Sequence, residues 1–181
     1  LDYSVINEMP RGRQVIDTIA LPEDRRSEIM KRIIIKCKEG DQVYWVCPLI
    51  NESEVLECKA AINTFEELDA ELKDINIGLI HGRMKMLEKE KVMGDFRNKK
   101  IDLLVSTTII EVGLDVPNAT VMIIENSERM GLSQLHQLRG RVGRGNKKST
   151  CILIYKSGLS RVKTLTQTRR SPWVHLFRVR F

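Results

Sequence analysis

At 181 residues and 42% hydrophobic content, the chain can bury one ordinary α/β core with a small appendage. A net charge of +6 admits a polyanionic partner, and no run of 18 apolar residues suits a membrane span. Cys37, Cys47, Cys58 and Cys151 stand alone, with no CxxC or Cys/His spacing, which argues against a metal or disulfides and for a reducing, cytoplasmic setting.

The opening LDYSVINEMPRGR has neither an initiator methionine nor a signal-peptide layout, so the chain reads as a piece of a longer protein. Gln14 to Ala20 alternates with strand period. Pro22 is expected to open a helix through Lys38, with Ile29, Ile33 and Cys37 on its inner side and Gly40 as its stop. Gln42 to Ile50 is nearly all apolar, as a strand covered on both faces would be. Asn51 to Glu57 reads as a polar loop, followed by a helix with Ala61, Phe65, Leu68 and Leu72 inward. Ile77 to Ile80 is a short strand. Met84 to Phe96 is a charged helix expected to bury Met86, Met93 and Phe96.

Asp102 to Ser106 and Thr120 to Ile124 are two further buried strands, and Ser149 to Tyr155 is the last. Between the last two lies LSQLHQLRGRVGRG, Leu132 to Gly145, which reads as one helix with Ser133 as N-cap. Gln134, Gln137, Arg141 and Arg144 then share a face, and Leu135, Leu138 and Val142 form an apolar stripe. Strands alternate with helices throughout, which argues a mainly parallel sheet wrapped on both sides.

Two arginines one turn apart suit an oxyanion such as phosphate, because guanidinium is always charged and binds oxygens in pairs. The same spacing also fits a solvated basic helix without a partner. Ser106-Thr107-Thr108 reads as the start of a helical turn, which binds phosphate or is simply capped by its hydroxyls. Gly113 and Asp115 form a tight turn that accepts from a ribose hydroxyl or is purely structural. In an open parallel sheet, ligands sit beyond the carboxyl ends of the strands. His81-Gly82-Arg83, the Ser106 to Asp115 segment and the approach to the arginine helix are all expected there.

These motifs carry a resemblance. QLRGRVGR at 137–144 resembles motif VI of the superfamily 2 helicases, STTIIEVGLD at 106–115 resembles motif V, and IHGRM at 80–84 is similar to the family's HG motif. The resemblance covers roughly residues 1 to 168. It implies a RecA-like three-layer α/β sandwich over residues 1–156, the second lobe of a two-lobe motor. Residues 157–181 would be a partial, divergent extension. It further implies that Arg141 and Arg144 are arginine fingers reaching to ATP. Gly113, Asp115 and Gln137 would lie near the nucleotide, and His81, Gly82, Arg83, Thr107 and Thr108 on the nucleic-acid backbone.

Within the superfamily, DVPNATVMIIENSERMGLSQLHQLRGRVGRG at 115–145 most resembles bacterial helicases that use ATP and Mg²⁺ to remodel branched DNA, including stalled forks and Holliday junctions. Their first RecA-like lobe and DNA-binding wedge domain would be partners of this piece. Transcription-repair coupling translocases share LRGRVGR but differ around the preceding strand. No GxxxxGK[ST] loop and no DExx box occur here, so the piece alone is not expected to hydrolyse ATP. The tail RRSPWVHLFRVRF departs from the family. Arg169, Arg170, Arg178 and Arg180 with Trp173 and Phe177 imitate a nucleic-acid patch, but we read it as an altered end with no designed role. A rival reading, from the charge and this tail, is a non-enzymatic nucleic-acid-binding module.

Overall fold

Extended backbone begins where isoleucine, threonine and alanine alternate with more exposed neighbours. In the computed structural model, which describes residues 16–48, 54–107, 116–157 and 179–180, β1 is Ile16–Pro22. Pro22 closes this strand instead of opening the helix: its ψ is 155°, and one 3₁₀ turn, Glu23–Arg25, intervenes. Helix α1 is Arg26–Lys38 and buries Ile29, Ile33 and Cys37, one every fourth residue. Gly40, at φ +83°, ends it where a side chain would be strained.

Strand β2, Gln42–Cys47, is buried at all six positions. It pairs with β4, Leu103–Thr107, on one side and β5, Ala119–Ile124, on the other. Its polar first residue is satisfied: Gln42 Nε2 donates to the carbonyls of Phe96 and Ile101. Helix α2, Glu54–Glu71, begins inside the segment expected to be a loop. Residues 54–57, Glu-Val-Leu-Glu, contain no Gly, Pro or Asn to delay it. Strand β3 is Ile77–Ile80 and helix α3 is Met86–Arg97. Met93 and Phe96 are fully buried, but Met86 is 66% exposed, contrary to expectation. It is the first residue of α3, where the helix has not yet reached the sheet.

Helix α4, Leu132–Arg139, precedes β6, Ser149–Tyr155. All pairings are parallel, in the order β3-β4-β2-β5-β6-β1-β7. Strand β7 is the two-residue Val179–Arg180 beside Thr18 and Ile19. Part of the tail read as having no role thus extends the sheet; the rest of 158–181 lies outside the described residues.

The crossovers fix the layers. The chain steps one way across the sheet through α1 and α2, and the other way through α3 and α4. Right-handed connections therefore put these pairs on opposite faces. The apolar residues divide accordingly. Val43, Trp45 and Cys47 pack with Ile29, Ile33, Ala61 and Leu68, while Tyr44 and Val46 pack with Met93, Phe96, Leu135 and Leu138. Tyr44 and Phe96 meet at 5.0 Å and 60°. The result is a three-layer RecA-like sandwich.

Candidate functional site

The arginine segment departs from the expected single helix. Helix α4 stops at Arg139, and Arg141 and Arg144 lie in the turn beyond it. Gly131, not Ser133, is the N-cap, and its N–H donates to Gln134 Oε1 at 3.1 Å. The Gly140 N–H still bonds the His136 carbonyl at 3.0 Å, and the Arg141 N–H reaches Leu138 O at 2.9 Å, tightening the last turn. Gly143 then takes φ +78°, which turns the chain out of helical geometry. The apolar stripe survives this change: Leu135, Leu138 and Val142 are all buried. Arg141 is half-buried and Arg144 is exposed, with its Nε 3.5 Å from the Gly140 carbonyl. Gln137 is exposed on α4.

The site does not gather on one edge of the sheet. Because α4 follows β5, it runs back against the strands, and its end arrives at their amino termini. Gly145 fixes this placement. A Cβ there would lie 2.5 Å from the carbonyl oxygen of Pro117, two residues before β5. Val142 shares a core cluster with Val116. Arg141 and Arg144 are thus on the amino edge, next to the chain position that follows Asp115. Thr108, Gly113 and Asp115 themselves lie outside the described residues.

The carboxyl edge, roughly 15–20 Å away across one strand length, carries the other group. His81 directly follows β3 and is half-buried, and Arg83 is exposed. The Gly82 carbonyl accepts from Lys89 Nζ at 2.9 Å. His81 Nδ1 is buried with no hydrogen-bond partner among the described residues, and burial holds its pKa below the ordinary value, helped by nearby Lys89 and Arg83. Ser106 and Thr107 are not at the start of a helical turn. They are buried strand residues, 1% and 2% exposed, so their hydroxyls do not face solvent.

Two charged clusters escaped the sequence reading. On the carboxyl edge, Arg26 pairs with Glu125 at 3.2 Å and Glu67 at 3.4 Å and stands 5.3 Å over the Trp45 ring. Burial raises the Glu125 pKa, against the pull of Arg26. A cavity of about 120 Å³ opens here between Glu23, Arg26, Glu125 and Lys156. On the amino edge, Lys147 Nζ meets Asp41 Oδ1 at 2.6 Å. The partners are 106 residues apart, so no local pattern could have announced them. Among the described residues, no group of three His, Cys, Asp or Glu side chains could hold a metal ion. No described helix is long and apolar enough to cross a membrane.

An exposed arginine beside a half-buried one, framed by glycines, presents fixed positive charge without a neutralising carboxylate of its own loop. That arrangement can neutralise a polyphosphate brought to the amino edge from outside.

Comparison with known proteins gives a consistent picture. The helicase conserved C-terminal domain family matches residues 25–146. The ATP-dependent DNA helicase RecG of Escherichia coli K12 is 57% identical over 162 residues, covering 89% of this chain and 23% of that protein. RecG of Haemophilus influenzae is 58% identical over 163 residues, 90% of this chain and 24% of that protein. The chain therefore spans about a quarter of the length of these relatives. A structure of RecG bound to a three-way DNA junction superposes with a TM-score of 0.72 at 43% identity, covering 88% of this chain and 20% of that one. The Mycobacterium smegmatis helicase Lhr, bound to single-stranded DNA and AMP-PNP, shares the fold at a TM-score of 0.62 and 18% identity, over 89% of this chain and 22% of that one.

Proposed function

This chain belongs to the helicase conserved C-terminal domain family, and on that premise we propose that it forms the second motor lobe of an ATP-dependent DNA helicase of the RecG kind. The activity is remodelling of branched DNA, such as stalled forks and Holliday junctions, in recombination and repair. The observation that carries this reading is the amino-edge loop. Arg144 projects into solvent, Arg141 stands beside it, and Gly145 seats the loop against the start of β5.

Arg141 and Arg144 face the terminal phosphates of ATP held, with Mg²⁺, by a first RecA-like lobe. They offset the charge that builds on those phosphates, a contribution worth roughly 10³ to 10⁵ in rate. Hydrolysis of the bound ATP supplies the energy for movement along DNA. Gln137, Gly113 and Asp115 complete the nucleotide-facing side. Across the sheet, Arg83 offers its exposed guanidinium to DNA phosphate, with His81, Gly82 and Thr108 along the same edge. Thr107 contributes through its backbone, since its side chain is buried. The two edges are linked by residues 108–115, which join Thr107 on one to Val116 on the other. DNA contact and nucleotide contact therefore meet in one short segment.

The test exchanges residues 16–157 into E. coli RecG in place of the matching segment, which 57% identity makes straightforward. ATP hydrolysis is measured with and without forked DNA. The proposal expects stimulation by forked DNA, and Arg83→Ala is expected to weaken that stimulation. A folded, ATP-binding chimera with no DNA-stimulated turnover would contradict it.

A further inference from the structure

We propose that Asp41 is a positioning residue for Arg144, acting through Lys147 as a latch that holds the arginine loop to the amino edge. The proposal rests on the nucleotide-facing reading of that loop. Asp41 ends the turn after α1 and precedes β2, the innermost part of the sheet. Its side chain is only 7% exposed, and its two oxygens meet lysines from different elements: Lys147 at 2.6 Å and Lys36 at 3.7 Å. A carboxylate this enclosed is placed by its surroundings and does not wander with solvent. The Asp41 N–H is itself tied to the Lys36 carbonyl at 3.1 Å. The anchor is therefore rigid on the β2 side.

Lys147 lies three residues beyond Arg144, a span of about 10 Å even when fully extended. Between them Gly145 rests on the Pro117 carbonyl, where no Cβ fits. Beyond Lys147, the Ser149 hydroxyl donates to the Lys147 carbonyl at 3.4 Å as β6 begins. Before Arg144, Gly143 at φ +78° breaks from the helix and leaves the loop little helical stiffness of its own. The loop is thus held on its N-terminal side by α4 and on its C-terminal side by Gly145 and the Asp41–Lys147 pair. Releasing the pair frees the second side while leaving the core, α4 and Arg144 chemically intact.

Two measurements test this. In the chain itself, amide hydrogen exchange over residues 140–148 is compared for wild type, Asp41→Asn, Lys147→Met and Asp41→Glu. The latch predicts exchange about tenfold faster in that segment for Asn and Met, with β2, β5 and β6 unchanged and Glu near wild type. In the exchanged RecG, Asp41→Asn and Lys147→Met should lower kcat about tenfold with KM within about twofold, and Asp41→Glu should restore kcat. Lys147 is exposed enough that its variant folds even if an Asp41 variant does not. Unchanged exchange over 140–148 in Lys147→Met would overturn the latch. So would a kcat unaffected by Lys147→Met in an enzyme whose turnover Arg144→Ala abolishes. If Arg144→Ala leaves turnover unaltered, the nucleotide-facing reading fails instead, while the exchange result still judges the latch by itself.

Discussion

Replacing Gly145 by alanine should disturb the arginine loop more than any other single-methyl change in the chain. The added Cβ would fall 2.5 Å from the Pro117 carbonyl oxygen, where ordinary contact starts at 3.4 Å, so something must yield by about 0.9 Å. Pro117 is backbone at the mouth of β5, whose residues Val121 to Ile124 are locked between β2 and β6. The loop is the softer side and moves. Such overpacking costs about 1–3 kcal/mol, and for a domain of this size each kcal/mol lowers Tm by about 2–4 °C. A shift near 1 Å at a group that must meet a transition state costs about 10²-fold in rate. Differential scanning calorimetry of the chain and ATPase assays of the exchanged RecG read the two effects. Unchanged Tm together with unchanged turnover would show that Gly145 does not set the loop, and the reasoning from its close approach would be wrong.

Leu68→Ala removes a fully buried side chain between α2 and the sheet and should cost about 2–5 kcal/mol, read as a lowered urea midpoint with unchanged slope. Burial lowers the pKa of both His81 and His136, so each stays neutral in the folded chain while the unfolded chain takes up protons near its ordinary value of 6.5. Their contribution to stability is fully present above pH 6.5 and is lost as pH falls through the lowered folded values; His81→Gln should flatten the decline in urea midpoint between pH 7 and pH 5. Burial pushes the thiols of Cys37, Cys47 and Cys151 up to about 12, so alkylation at pH 8 should be slow in the native chain and fast in guanidinium. Rapid native labelling of those three would contradict their placement.

How much of this was readable beforehand follows from what each residue type reports. The run Gln42 to Cys47 announced a strand covered twice, because a parallel strand between two helical layers has no polar side to show. Ile29, Ile33 and Cys37 announced α1 because only an inner face repeats every four residues. The end of α4 was not announced. Gly140 is tolerated in a helix, and nothing local says that Gly143 will take positive φ. Met86 misled because its spacing to Met93 suits a helical stripe, yet the first turn of α3 overhangs the sheet.

The chief error concerned which edge carries the arginines. Side-chain pattern tells which face of a helix is buried, not where its far end lands. Connectivity does tell: a helix returning from the carboxyl end of β5 must finish near the amino end of β6. The Asp41–Lys147 and Arg26–Glu125 pairs were invisible for a different reason, since ion pairs across 106 and 99 residues exist only once the sheet has formed.

The central claim is that this chain brings cationic groups to phosphates that another lobe holds. The most direct measurement is turnover and nucleotide affinity of the exchanged RecG carrying Arg144→Ala. The account predicts a fall in kcat of about 10³ or more with ATP affinity changed by less than about threefold. Full turnover with Arg144 removed, or a loss traced wholly to weaker DNA binding, would contradict it.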